Sequence, residues 1–215
     1  MNQSEAHPTY LQQHFADSEQ QMDAAKTGMW IFLLTEILTF GGLFVAYGIF
    51  RAWNPHMFYL AHKALNQSLG ALNTIVLITS SLTMALSIWS MQNDKRKQTI
   101  IFLIATVVLA GTFMVVKYFE YSHKFHLGQL PGKFYTYTGI EGSNPHIFFS
   151  IYFMMTGLHG IHVLIGMGLI VWLIIRTSKG HFSSAYYTPI EITGLFWHLV
   201  DMIWIFLFPL LYLIG

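Results

Sequence analysis

The stretch Thr156–Ile175, TGLHGIHVLIGMGLIVWLII, runs for twenty residues without one Lys, Arg, Asp or Glu. As an α-helix at about 1.5 Å per residue it covers roughly 30 Å, the thickness of a bilayer's hydrocarbon core. It belongs to a longer apolar segment, from about Ile147 to Ile175. Four more segments of similar character lie at about Gly28 to Phe50, Leu69 to Met91, Thr99 to Val116 and Ile192 to Ile214. Over the 215 residues, 54% are hydrophobic and 10% charged, with a mean hydropathy of +0.49, which is too apolar for a water-soluble domain of this size. The expected fold is therefore all-α: an integral membrane bundle of five transmembrane helices. Residues 1–26 read as a polar cytoplasmic segment and 27–215 as the transmembrane domain. No internal repeat or low-complexity tract is visible.

The same composition excludes several chemistries. Eleven Lys and Arg against ten Asp and Glu leave no basic surface for nucleic acid. With no cysteine, thiolate zinc, iron–sulfur clusters, covalently attached haem and disulfides are ruled out. Glu5, Asp17, Glu19 and Asp23, with no apolar core, are not a cleavable secretory signal, so the first span itself directs insertion. Orientation rests on flanking cations. Lys26, Lys95, Arg96, Lys97, Arg176 and Lys179 fall on one side, and Arg51, Lys63, Lys117, Lys124 and Lys133 on the other. The short DKRK turn weighs most, because the positive-inside bias is strongest for short loops. It places the N-terminus in the cytoplasm and, with five crossings, the C-terminus on the opposite side.

Polar groups inside the spans are the candidate functional residues, because ionisable side chains in hydrocarbon face protein or water. Glu36, within WIFLLTEILTFGG, is either a neutral hydrogen-bonded packing group or a proton-handling site. In the last span, Glu191, His198 and Asp201 share one broad face, with Trp197 and Trp204 on a neighbouring one. His198 and Asp201, three apart, are able to pair. His159 and His162 share a face of the quoted helix. A haem held by two histidines needs them on opposed helices, and a copper or iron site needs about three converging ligands. One HxxH helix meets neither requirement, so hydrogen-bonded packing is favoured over metal ligation. The interleaved Gly157 and Gly160 suggest close helix contact. His162, Glu36, His198 and Asp201 fall in the same half of the membrane and are able to meet.

Glu36, KYFEYSHKF after the third span, GLHGIHVLIGMGLI in the fourth and FWHLVDMIWIFLFPLLYL in the fifth together resemble subunit III of haem–copper oxidases, from about Trp30 to Gly215. The resemblance implies helices in two groups around a lipid-filled cleft, and a subunit without catalytic residues or metal of its own. Haem and copper would reside in partner subunits I and II. The family's membrane glutamate matches Glu36, its paired histidines His159 and His162, its Trp-His-x-x-Asp Trp197, His198 and Asp201, and its Phe-Glu-Tyr Phe119, Glu120 and Tyr121. Glu36, His159, His162, His198 and Asp201 are then the buried polar or proton-linked set. Gly157, Gly160, Trp197, Glu191 and Glu120 serve helix packing or lipid contact. The chain lacks the first two helices of the seven-span form and resembles the shorter five-span bacterial form, in which one arm of the cleft is missing or comes from another subunit.

The function this implies is support of assembly, sustained turnover and proton uptake in a proton-pumping terminal oxidase of a bacterial inner membrane. Bound phospholipid and further respiratory subunits are expected companions. A quinol oxidase or a nitric oxide reductase accessory subunit is the alternative. A proton-coupled transporter using Glu36 is more distant, because no pair of broken half-helices is visible.

Overall fold

The computed structural model describes residues 11–140 and 144–214. Six α-helices follow one another: α1 (Ser18–Trp53), α2 (Pro55–His62), α3 (Gln67–Gln92), α4 (Arg96–His126), α5 (His146–Ser178) and α6 (Thr188–Phe208). A 3-10 turn at Gly132–Phe134 precedes α5, and a π turn at Pro209–Leu213 extends α6. Five of these stretches, α1, α3, α4, α5 and α6 with its π turn, are long and apolar enough to cross a membrane.

The helix ends follow from local chemistry. Asp17 accepts from Gln20 N at 2.8 Å and Asn66 from Leu69 N at 3.2 Å, each satisfying a donor that the first turn leaves free. Pro55 opens α2, where a missing N–H costs nothing. At the other ends, Gly128 (φ +72°) and Gly180 (φ +81°) take the left-handed conformation that lets the chain turn back. Gln129 N then reaches Lys124 O and His181 N reaches Arg176 O, closing Schellman caps. Pro209 cannot donate to the ladder of α6, and the helix widens there, with Ile214 N bonding Pro209 O.

α6 is the centre of the bundle. Of its apolar window 56% is buried, against 17 to 33% for the other spans, and it packs on α1, α3 and α5. Trp197 and Trp204 are fully enclosed, and the Trp197 ring lies where a side chain at Gly166 would stand. α3 and α4 form an antiparallel hairpin whose interface holds small hydroxyl residues. Thr83 and Thr106 bond across it at 2.7 Å, while elsewhere on α3 the buried Ser80 and Ser87 donate to carbonyls of their own helix. Outward faces are apolar, as lipid demands: Leu38, Ile75, Val108 and Ile161 are all more than half exposed.

Two boundaries depart from the sequence reading. α1 begins at Ser18, inside the segment read as polar, and α2 was not foreseen. The third span does not stop at Val116 but continues as α4 to His126, through the KYFEYSHKF run placed after the span. The charges that suggested an exit, Lys117, Glu120 and Lys124, are buried.

Candidate functional site

On the α1–α5 contact, Glu36 Oε2 lies 2.9 Å from His162 Nε2. His162 Nδ1 lies 2.8 Å from Leu158 O. A carbonyl only accepts, so Nδ1 carries a proton. The contact to Glu36 therefore contains one proton, held either by the carboxyl or by an imidazolium. Both arrangements are neutral overall, which suits a pair whose side chains are only 12% and 17% exposed at membrane depth. Phe40 meets the imidazole edge-on and Phe196 stacks on it.

His159 goes elsewhere. It is fully buried between the rings of Phe113 and Trp204, and among the described residues neither ring nitrogen has a hydrogen-bond partner. Shared spacing thus does not give the two histidines a shared partner. Nor do His198 and Asp201 join Glu36. They face α3, where His198 Nδ1 meets Ser81 Oγ at 2.7 Å. Asp201 is 3% exposed and does not pair with His198. Its carboxyl lies near Ser80 and Ser81, but among the described residues neither oxygen has a well-formed hydrogen bond, and the Ser80 hydroxyl donates to Leu77 O. Trp197 Nε1 donates to Ser80 at 3.2 Å, and Trp204 Nε1 to Thr74 at 3.1 Å. Glu191, on the same helix, forms an ion pair with Lys26 at 2.9 Å.

A second polar cluster surrounds Glu120, which the sequence reading named for helix packing or lipid contact without its partners. Lys117 Nζ donates to Glu120 Oε2 at 2.9 Å and to Tyr212 OH at 2.7 Å. Tyr152 and Tyr212 each donate to Glu120 Oε1, at 2.9 and 2.6 Å. Lys124, 2% exposed, lies over Tyr152. Lys and Glu three apart on a helix were the signal available; ending the span at Val116 concealed it. The expected close contact at Gly157 and Gly160 is not found. A side chain at Gly160 would meet nothing within 4 Å, and one at Gly157 only Tyr121 OH at 3.9 Å. These glycines floor an open apolar groove of about 500 Å³ between α4 and α5. Among the described residues, no group of three or more His, Asp or Glu is placed to hold a metal.

The family model for cytochrome c oxidase subunit III matches residues 5–215. The chain belongs to the cytochrome c oxidase subunit III family. Its relatives include a cytochrome c oxidase subunit 3 of Thermostichus vulcanus, 29% identical over 92% of this chain and 90% of that one. A probable quinol oxidase subunit 3 of Staphylococcus haemolyticus is 30% identical over 88% and 89%. A haem–copper oxidase subunit I+III of Aeropyrum pernix is 28% identical over 89% of this chain, which spans 23% of that longer protein. A subunit III of haem–copper oxidases is thus a multi-pass membrane component of an oxidase complex, and the Glu36–His162 pair lies within it.

Proposed function

We propose that this chain is the non-catalytic subunit III of a proton-pumping haem–copper terminal oxidase, supporting assembly, sustained turnover and proton uptake by subunit I. The observation that carries the proton role is the Glu36–His162 contact: one proton shared by two ionisable groups on different spans. Such a pair is able to take up or release a proton locally without a buried net charge in its resting state. Haem and copper belong to subunits I and II in this reading. The Aeropyrum relative, named for both I and III in one chain, supports a place for this chain beside a subunit I. The apolar groove over Gly157 and Gly160 offers surface for bound phospholipid, and further respiratory subunits are compatible partners.

The reading includes a bacterial inner membrane with the N-terminus in the cytoplasm. Lys117 and Lys124 are buried within α4, so the opposing flank retains only Arg51, Lys63 and Lys133, three cations against six. Cytochrome c is the electron donor in the leading version. Quinol is the second reading, favoured by the Staphylococcus relatives. Gentle purification through a tag on this chain tests both. Haem absorption with large subunits in stoichiometric yield is expected, and oxidation of cytochrome c or of quinol by that preparation assigns the donor. Recovery of the chain without haem proteins sinks the proposal.

A further inference from the structure

The charges buried at the open end of the α3–α4 hairpin do not cancel. Lys117 donates to Glu120, Tyr152 and Tyr212, and Glu120 accepts from the same three residues, so this pair is saturated within itself. Lys124 lies one turn further along α4 and is 2% exposed. Its ammonium rests over the rings of Tyr152 and Phe149, 5.0 and 5.8 Å from their centroids, and forms no hydrogen bond among the described residues. Among those residues Glu120 is the carboxylate that attracts it, while Lys117 repels it. Two cations against one anion leave a buried excess of one positive charge.

Beside this cluster a cavity of about 420 Å³ opens between the last turns of α4 and the first turn of α3. Lys124, His123 and Glu120 line it from α4, and Asn66, Leu65 and Leu69 from the other side. Asn66 Oδ1 caps Leu69 N, which leaves Nδ2 as a donor without an acceptor among the described residues. The N-terminal end of the 26-residue α3 adds partial positive charge at the same place. The lining thus offers an ammonium, an amide and an imidazole, and the charge of its carboxylate is already matched by Lys117. A buried ammonium without a hydrogen-bonded counterion is costly, and a bound anion removes that cost. Water satisfies the donors but leaves the charge. A tetrahedral phosphate group meets both needs, since its oxygens reach several donors at once and accept charge-assisted bonds. We infer that this cavity is an anion site in which Lys124 holds a phosphate group, carried by a phospholipid headgroup or by free phosphate. It is separate from the apolar groove over Gly157 and Gly160, which lies between α4 and α5.

The test uses the detergent-solubilised complex purified through this chain and washed free of loosely held lipid, unsubstituted or carrying Lys124→Met or Lys124→Arg. Phosphorus retained per chain is measured after partition between organic and aqueous phases. The unsubstituted complex should hold about one phosphorus per chain more than Lys124→Met, and Lys124→Arg should hold nearly as much, because a guanidinium keeps the charge and binds phosphate. An excess in the organic phase makes the ligand a headgroup, identified by mass spectrometry. An excess in the aqueous phase makes it free phosphate. Equal phosphorus in the unsubstituted and Lys124→Met complexes overturns the site. A second measurement needs no ligand to survive purification. Phosphatidylglycerol in mixed micelles, or inorganic phosphate, is added to stripped complex, and one of the two should raise the thermal midpoint in the unsubstituted and Lys124→Arg forms but not in Lys124→Met. No rise with either, or the same rise in Lys124→Met, overturns the inference. So does a carbodiimide-formed amide between Lys124 and any carboxylate other than Glu120, since a protein side chain is then its counterion.

Discussion

At Glu36 the decisive feature is a proton count. With Nδ1 of His162 tied to a carbonyl, a glutamine at position 36 is able to donate its amide to Nε2 and replace the hydrogen bond, but it has no proton to release. Glu36→Gln should therefore assemble normally, start at nearly the native oxygen-consumption rate, and lose activity sooner over many turnovers, most visibly at high pH where protons are scarce. Glu36→Ala leaves Nε2 unsatisfied and should cost about 1–3 kcal/mol of stability. Oxygen uptake and proton release followed over many turnovers at two pH values separate the cases: native durability of the Gln variant at both eliminates the proton role. The sequence exposed Glu36, His162, His198 and Asp201 as candidates because any ionisable residue in a twenty-residue apolar run stands out. It did not disclose their partners. Helical spacing gives a residue's face, while the identity of the neighbour depends on the rotation of the other helix. That is why His198 meets Ser81 and not Glu36.

Among the elements, α4 shows where hydropathy fails. A lysine after a long apolar run ordinarily marks the end of a span, yet here α4 runs on to His126 and Lys117 is buried among Glu120, Tyr152 and Tyr212. The cluster joins α4, α5 and the π turn that ends the last span. Removing one partner strands the other, a loss of about 3–5 kcal/mol for a buried pair. Lys117→Met and Glu120→Gln should each lower the thermal stability of the detergent-solubilised complex markedly. The double variant should recover much of the loss, since both charges are then gone. Strict additivity of the two single effects in a denaturation series would show that the groups act independently. The five spans themselves were legible, since length and hydropathy suffice for them. α2 was not: eight residues opened by Pro55 carry no long-range period.

For the molecule as a whole, helix packing in lipid gains little from the hydrophobic effect, so polar ties at the bundle's ends matter more than in water. One end is held by Lys117 and Glu120, by Tyr47 OH on Leu210 O and by Arg51 on Ile214 O. At the other, Arg96 donates to Thr177 O and Ser178 O, capping α5 from the start of α4. Asp94 joins the same two hairpins, accepting from Ser184 N at 2.8 Å and Ser184 Oγ at 2.6 Å. Those bonds hold the Asp94 carboxyl below its ordinary value. A depressed carboxylate contributes fully above its unfolded value, about 4, and loses that contribution as the pH falls through its lower folded value. The tie should accordingly be constant across the neutral range and vanish only in acid. Hydrogen exchange at the Ser184 amide, corrected for intrinsic rates, should show unchanged protection from about pH 5 to 8 and a drop below about pH 4. Asp94→Asn should remove the acid step, while Ser184→Ala, which retains the amide bond alone, should keep a weaker one. A loss of protection near pH 6 would instead point to a histidine as the group that controls this end of the bundle.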